Sequence, residues 1–106
     1  MAVPSPMNDA IRALMQAFGK KLPGRLLELD AALDAARGGD PEAHQIAKRL
    51  AHKLHGTAGS YGYAQVSSAA GVLEAALERP EPDWTQIDVA YASVKSAVAA
   101  CSQAGA

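Results

Sequence analysis

Asp40-Pro41-Glu42-Ala43-His44-Gln45-Ile46-Ala47-Lys48-Arg49-Leu50-Ala51-His52-Lys53-Leu54-His55-Gly56 reads as a single amphipathic helix, and the fold follows from it. Asp40 offers a capping carboxylate, Pro41 suits the first turn, and Glu42 complements the positive end of the helix dipole. Ala43, Ile46, Ala47, Leu50 and Leu54 recur at three- and four-residue steps, the period of one buried helix face. The run Gly56-Thr57-Ala58-Gly59-Ser60-Tyr61-Gly62 follows, and Gly62 is placed to close the helix in a left-handed conformation.

Working outward, the same period recurs on both sides. Met7, Ile11, Leu14, Met15, Phe18 and Leu22 predict a first helix over about residues 7–21, with Ser5 or Asn8 as its cap. Gly19, Pro23 and Gly24 then punctuate the chain, and Pro23 suits the first turn of a second helix over 23–37. That helix carries Leu26, Leu29, Leu33 and Ala36, and Gly38-Gly39 ends it. The quoted stretch predicts a third helix over 41–60. Val66, Ala69, Ala70, Leu73 and Leu77 predict a fourth over 64–79, stopped by Pro80 and Pro82. Ile87, Tyr91, Val94, Val98 and Cys101 predict a fifth over 84–101, with Asp83 and Gln86 as a capping-box-like pair, Trp84 as its anchor and a fraying tail after it.

Alanine is abundant, aromatics are 5% and β-branched runs are absent, so no strand is expected. Short connections between long amphipathic helices favour antiparallel neighbours. The predicted fold is therefore all-α: an antiparallel up-down four-helix bundle made by the last four helices, with an additional N-terminal helix packed at one end. Residues 1–106 are expected to form one domain.

Composition excludes several classes. The chain is 49% hydrophobic and 20% charged, ordinary for a globular protein and too apolar for a disordered one. A net charge of −1 supplies no bulk attraction to nucleic acid or an anionic membrane. Cys101 is the one cysteine, which rules out an internal disulfide and a thiolate metal cage. No apolar run approaches a membrane span, and Met1 to Met7 lacks the basic and apolar regions of a signal peptide. A cytoplasmic monomer is expected.

All three histidines, His44, His52 and His55, lie in the predicted third helix. At about 100° per residue, His52 falls roughly 190° from the centre of the apolar stripe. Lys48, His55, Gly56 and Gly59 land within about 60° of it. Two glycines on one exposed helix face weaken the helix by up to about 1 kcal/mol each, which suggests close approach of a partner or ligand there. Lys48, four residues before His52, and His55, three after, are in reach of its ring. A negative group attached to His52 would find nitrogen donors nearby. His52 and His55 alone make an incomplete zinc site, so no metal is expected. His44, about 12 Å along the axis from His52, reads as an ordinary exposed residue. The Gly56–Gly62 run lacks the ending of a nucleotide-binding loop and follows a helix, so no ATP site is expected.

The string Ala51-His52-Lys53-Leu54-His55-Gly56-Thr57-Ala58-Gly59-Ser60-Tyr61-Gly62 resembles the phosphoacceptor segment of the histidine-phosphotransfer (HPt) domain family. That pattern is a histidine, any residue, an apolar residue, usually lysine, then glycine, with small residues leading to another glycine. Val66, Ala69, Ala70, Leu73 and Glu74 are similar to the family's following helix, and Gly39-Asp40-Pro41 suits the approach to the site helix. The resemblance implies that His52 is phosphorylated, that Leu54 is buried, that Gly56 leaves room for a receiver domain, and that Gly59 and Gly62 shape the helix end. His55 stands where the family usually has lysine. A fixed charge is thereby replaced by a group that titrates near pH 6.5 in its ordinary state. The expectation is a weaker, pH-dependent phosphate contact, backed by Lys48 or Lys53.

The resemblance further implies a carrier with no ATP or metal site of its own. Phosphoryl groups would pass between His52 and the aspartate of a response-regulator receiver, whose own Mg²⁺ would assist, and a sensor or hybrid histidine kinase would supply them. Arg49 and Lys53 flank the site and are placed to steer an acidic receiver. Tyr61 or Tyr63 either forms a docking rim or packs into the end of the bundle. The alternative is a non-catalytic HPt-like adaptor that binds a receiver or kinase without transfer.

Overall fold

The computed structural model describes residues 6–104. Among them are four helices and no strand: α1 (Pro6–Arg37), α2 (Pro41–Ser60), α3 (Ala64–Glu78) and α4 (Trp84–Ala104). Each helix packs against the next, and α4 returns to α1, closing an antiparallel ring. The α1–α4 seam is the thinnest. There the Arg37 guanidinium binds the Asp88 carboxylate, and Tyr91 donates to the Leu26 carbonyl at 3.1 Å.

The separate N-terminal helix does not exist. The predicted 7–21 and 23–37 segments are one helix of 32 residues, with Pro23 inside it. Proline removes one backbone donor and crowds the carbonyl four residues back, a loss of about 3 kcal/mol. The helix continues because the apolar stripe keeps its phase across the proline. Phe18, Leu22, Leu29 and Leu33 are all buried in the core, and each buried leucine contributes about 1.5–3 kcal/mol. The same stripe runs past the end of the other helices, so Ile11 (48% exposed) and Leu14 (55%) are uncovered, contrary to their predicted burial. The caps predicted at Ser5 or the Asn8 side chain lie outside the described residues.

α2 begins where its cap demands: the Asp40 carboxylate accepts from the amides of Glu42 and Ala43 at 2.9 and 3.2 Å. Gly39 (φ 102°) and Gly62 (φ 83°) turn the chain at either end in the left-handed region that glycine alone adopts without strain. The buried face of α2 is Ala43, Ala47, Ala51, Leu54 and Ala58, while the predicted Ile46 is 39% exposed. Alanines allow α1 and α3 to approach closely. The buried stripe is thus rotated by roughly 50° from the one that large residues suggested. That rotation swings His44 and His55 toward α3.

At the far end, Tyr61 stacks on Phe18 (ring centroids 5.1 Å apart), and the Tyr63 hydroxyl donates to the Met15 carbonyl at 2.8 Å. A Cβ at Gly19 would collide with that hydroxyl, so Gly19 is the notch that admits it. Both tyrosines therefore pack the α2–α3 connection onto α1. The Asp83 carboxylate caps the amides of Thr85 and Gln86, but the Gln86 side chain accepts from Arg79 instead of closing a capping box. Trp84 is half-buried beneath the Arg37 guanidinium, which lies 4.8 Å from its ring centroid. α4 runs beyond its predicted end to Ala104, and residues 105–106 of the tail lie outside the described residues.

Candidate functional site

His52 stands on the outer face of α2 with 75% of its side chain exposed. Its Nδ1 lies 2.5 Å from Oε2 of Glu74, an α3 side chain that is only 16% exposed. A carboxylate accepts, so Nδ1 carries the hydrogen. In the neutral ring the Nε2 lone pair is then the free nucleophile. Glu74 fixes both the orientation of the imidazole and which of its nitrogens keeps a free lone pair. It also places a negative charge beside the ring, which favours any positive charge the ring acquires.

In the sequence Glu74 stands out only as part of the helix that follows the site. Its role depends on the register between α2 and α3, which the three-residue connection sets and local periodicity does not carry. A signal was nevertheless present: Glu74 is a carboxylate directly after the core residue Leu73, and the residues from Val66 to Leu77 are otherwise apolar or small.

All three histidines reach across to α3. His44 Nε2 donates to the Leu77 carbonyl at 2.7 Å and is half-buried, which corrects its reading as an ordinary exposed residue. His55 Nδ1 donates to the Ser67 carbonyl at 2.7 Å, and the Ser67 hydroxyl donates to the His55 carbonyl at 2.7 Å. His55 is therefore anchored on α3, with one of its nitrogens already engaged.

The remaining candidates separate by direction. A Cβ at Gly56 would meet nothing within 4 Å, so the surface beside His52 is open. A Cβ at Gly59 would stand 3.1 Å from Ser67 Oγ, so this glycine serves the α2–α3 packing. Lys48 is half-buried and, with His44, Arg79 and Trp84, lines a cleft of about 510 Å³. Arg49 is exposed on the outer face of α2. Lys53 lies about 100° around the helix from His52, bordering the α1 side with Phe18, Arg25 and Leu50. Lys53 is not gathered with His52, Glu74 and His55. After Glu42, α2 carries no acid while it carries Lys48, Arg49 and Lys53, so this one helix is locally basic in a chain of net charge −1.

Among the described residues no group of three His, Cys, Asp or Glu side chains is placed to hold a metal ion, and no helix is long and apolar enough to cross a membrane.

The chain matches the Hpt domain family model over residues 13–104. The chain belongs to the Hpt domain family, the phosphocarrier modules of histidine phosphotransfer in two-component signalling. Neither the curated proteins nor the solved structures gave a match to the chain.

Proposed function

We propose that this chain is a phosphorelay carrier in which His52 accepts a phosphoryl group from one receiver aspartate or kinase and yields it to another receiver. The observation that carries this reading is the exposed His52 ring, with Nδ1 held by Glu74 and Nε2 left free beside the open surface at Gly56. In the transfer step Nε2 attacks the phosphorus of the receiver's aspartyl phosphate. The N–P bond forms as the P–O bond breaks, and the aspartate carboxylate leaves in line. Nδ1 keeps its hydrogen, and the charge gained by the ring is offset by Glu74.

Reversal of the step passes the group on. Positioning and electrostatics supply most of the catalysis in such transfers, and the receiver brings the divalent cation that neutralises the phosphoryl oxygens. Lys48 and Arg49 add positive charge on the approach face. The chain acts as a monomeric carrier in the cytoplasm and needs no cofactor of its own.

Incubation with a phosphorylated receiver should place acid-labile, base-stable phosphate on His52. His52→Gln should fold and bind the receiver but take no label. Binding by both proteins with label on neither would instead establish a non-catalytic adaptor.

A further inference from the structure

Resting on the reading of His52 as phosphoacceptor, we infer that His55 is a proton-gated positioning residue: seated on Gly71 and latched by Ser67, its imidazole holds the phosphoryl group on His52 only when protonated.

The seat is specific. A Cβ at Gly71 would stand 2.9 Å from His55 Nδ1 and 3.0 Å from its Cε1, so the ring lies against the bare backbone of α3. Ser67 latches it from two sides, accepting from Nδ1 through its carbonyl and donating its hydroxyl to the His55 carbonyl. The Ser67 Oγ also lies 3.3 Å from Nδ1. With Nδ1 committed as a donor to a carbonyl, only Nε2 remains for a ligand. In the neutral ring Nε2 is a lone pair, which repels phosphoryl oxygens. In the protonated ring it is a charged donor, which binds them. The lone choice left to this residue is the presence of one proton.

Position supplies the target. His55 follows His52 by three residues, so the two rings are neighbours on one helix face. The charged and titratable groups around them are few. From α2 itself these are His52 and, a turn before it, Lys48 and Arg49; from α3 it is Glu74, which is engaged with His52 Nδ1. α1 packs on the other flank of α2, where Arg25 and Lys53 border the groove. α4 packs on α1 and α3, diagonally across the bundle from α2. The His55 ring is therefore the group nearest His52 in sequence that can present either a lone pair or a charged donor.

The test uses phosphoramidate, a small-molecule phosphoryl donor, so that a receiver's own titration does not enter. The half-life of phosphate on His52 is followed between pH 6 and pH 8 in the wild type, His55→Asn and His55→Lys. Phosphohistidine is acid-labile in any setting, so the ratio of each lifetime to that of His55→Asn is the quantity read.

The wild-type ratio should rise about two- to fivefold as pH falls from 8 to 6, the range of an exposed charge pair. His55→Lys should hold its ratio across the whole interval. Gly71→Ala, which displaces the ring while leaving the residue in place, should flatten the wild-type rise, with thermal melting confirming the fold. Label on His52 with a flat wild-type ratio overturns the inference alone. Absence of label in every variant, from phosphoramidate and from a phosphorylated receiver alike, overturns the phosphoacceptor reading and this inference with it.

Discussion

His52 Nδ1 and Glu74 Oε2 lie 2.5 Å apart across the α2–α3 seam, joining an exposed imidazole to a largely buried carboxylate. A hydrogen bond to a charged acceptor contributes about 1.5–3 kcal/mol. In the proposed transfer it acts on a ring that gains positive charge as Nε2 bonds to phosphorus. Glu74→Gln keeps the size of the side chain and removes the charge. The variant should fold as the wild type by circular dichroism yet accept phosphate from a phosphorylated receiver at least about tenfold more slowly. A wild-type rate in Glu74→Gln would show that the carboxylate only props the ring.

Gly56 tests whether the open surface beside His52 is a docking surface. A side chain there meets nothing in the chain itself. Gly56→Ala should raise stability by up to about 1 kcal/mol, because glycine is the poorer helix former. Gly56→Trp should fold equally well but weaken receiver binding by at least tenfold in a titration. Undiminished binding of the tryptophan variant would place the docking surface elsewhere.

Gly19 and Tyr63 should behave as a lock and its notch. Gly19→Ala drives a methyl group into the Tyr63 hydroxyl and should destabilise the protein by about 1–3 kcal/mol in urea unfolding, as overpacking commonly does. Tyr63→Phe removes that hydroxyl together with its bond to the Met15 carbonyl. In the double variant the alanine should be far less harmful than in the wild-type background. Strict additivity of the two changes would refute the steric account.

Pro23 sits in α1 without the backbone donor that its position calls for. Pro23→Ala restores a donor to the Gly19 carbonyl and should stabilise the protein by about 1–3 kcal/mol. Thermal melting gives the measurement, and a lowered melting temperature would mean that the helix relies on the proline's local geometry.

Tyr91 predicts the alkaline limit of stability. Its hydroxyl is pushed up to about 12, chiefly by burial and secondarily by the Asp30 charge. The unfolded tyrosine ionises near pH 10. Between pH 10 and about 12 the unfolded chain therefore loses a proton that the folded chain keeps, and stability falls with rising pH through that window. Tyr91→Phe should unfold with a shallower pH dependence there. An unchanged slope in urea midpoints would assign alkaline unfolding to other groups.

The helical class, the start of α2 at its Asp40 cap and the outward direction of His52 were legible in the chain itself. Each is a local property, set by a period of 3.6 residues, a capping side chain or a glycine that tolerates positive φ. The same local rules misread Pro23 as a helix start, because they weigh a proline's effect on its neighbours and not the core stripe that continues in phase on both sides of it. They also placed Ile46 in the α2 core, where it is 39% exposed. What determines burial there is how closely two other helices approach, and alanines allow the closest approach.

The sequence by itself therefore determined that His52 faces outward on a helix, with His55 one turn away. Only the tertiary structure decided which nitrogen of His52 is free, which carboxylate sits behind it, and why His55 lies on Gly71 instead of extending into solvent. Those depend on the register of two antiparallel helices, and the pairs His44 with Leu77, His52 with Glu74 and His55 with Ser67 belong to that register. Periodicity within either helix carries no information about it, because sliding one helix along the other leaves each pattern unchanged while replacing every partner across the seam.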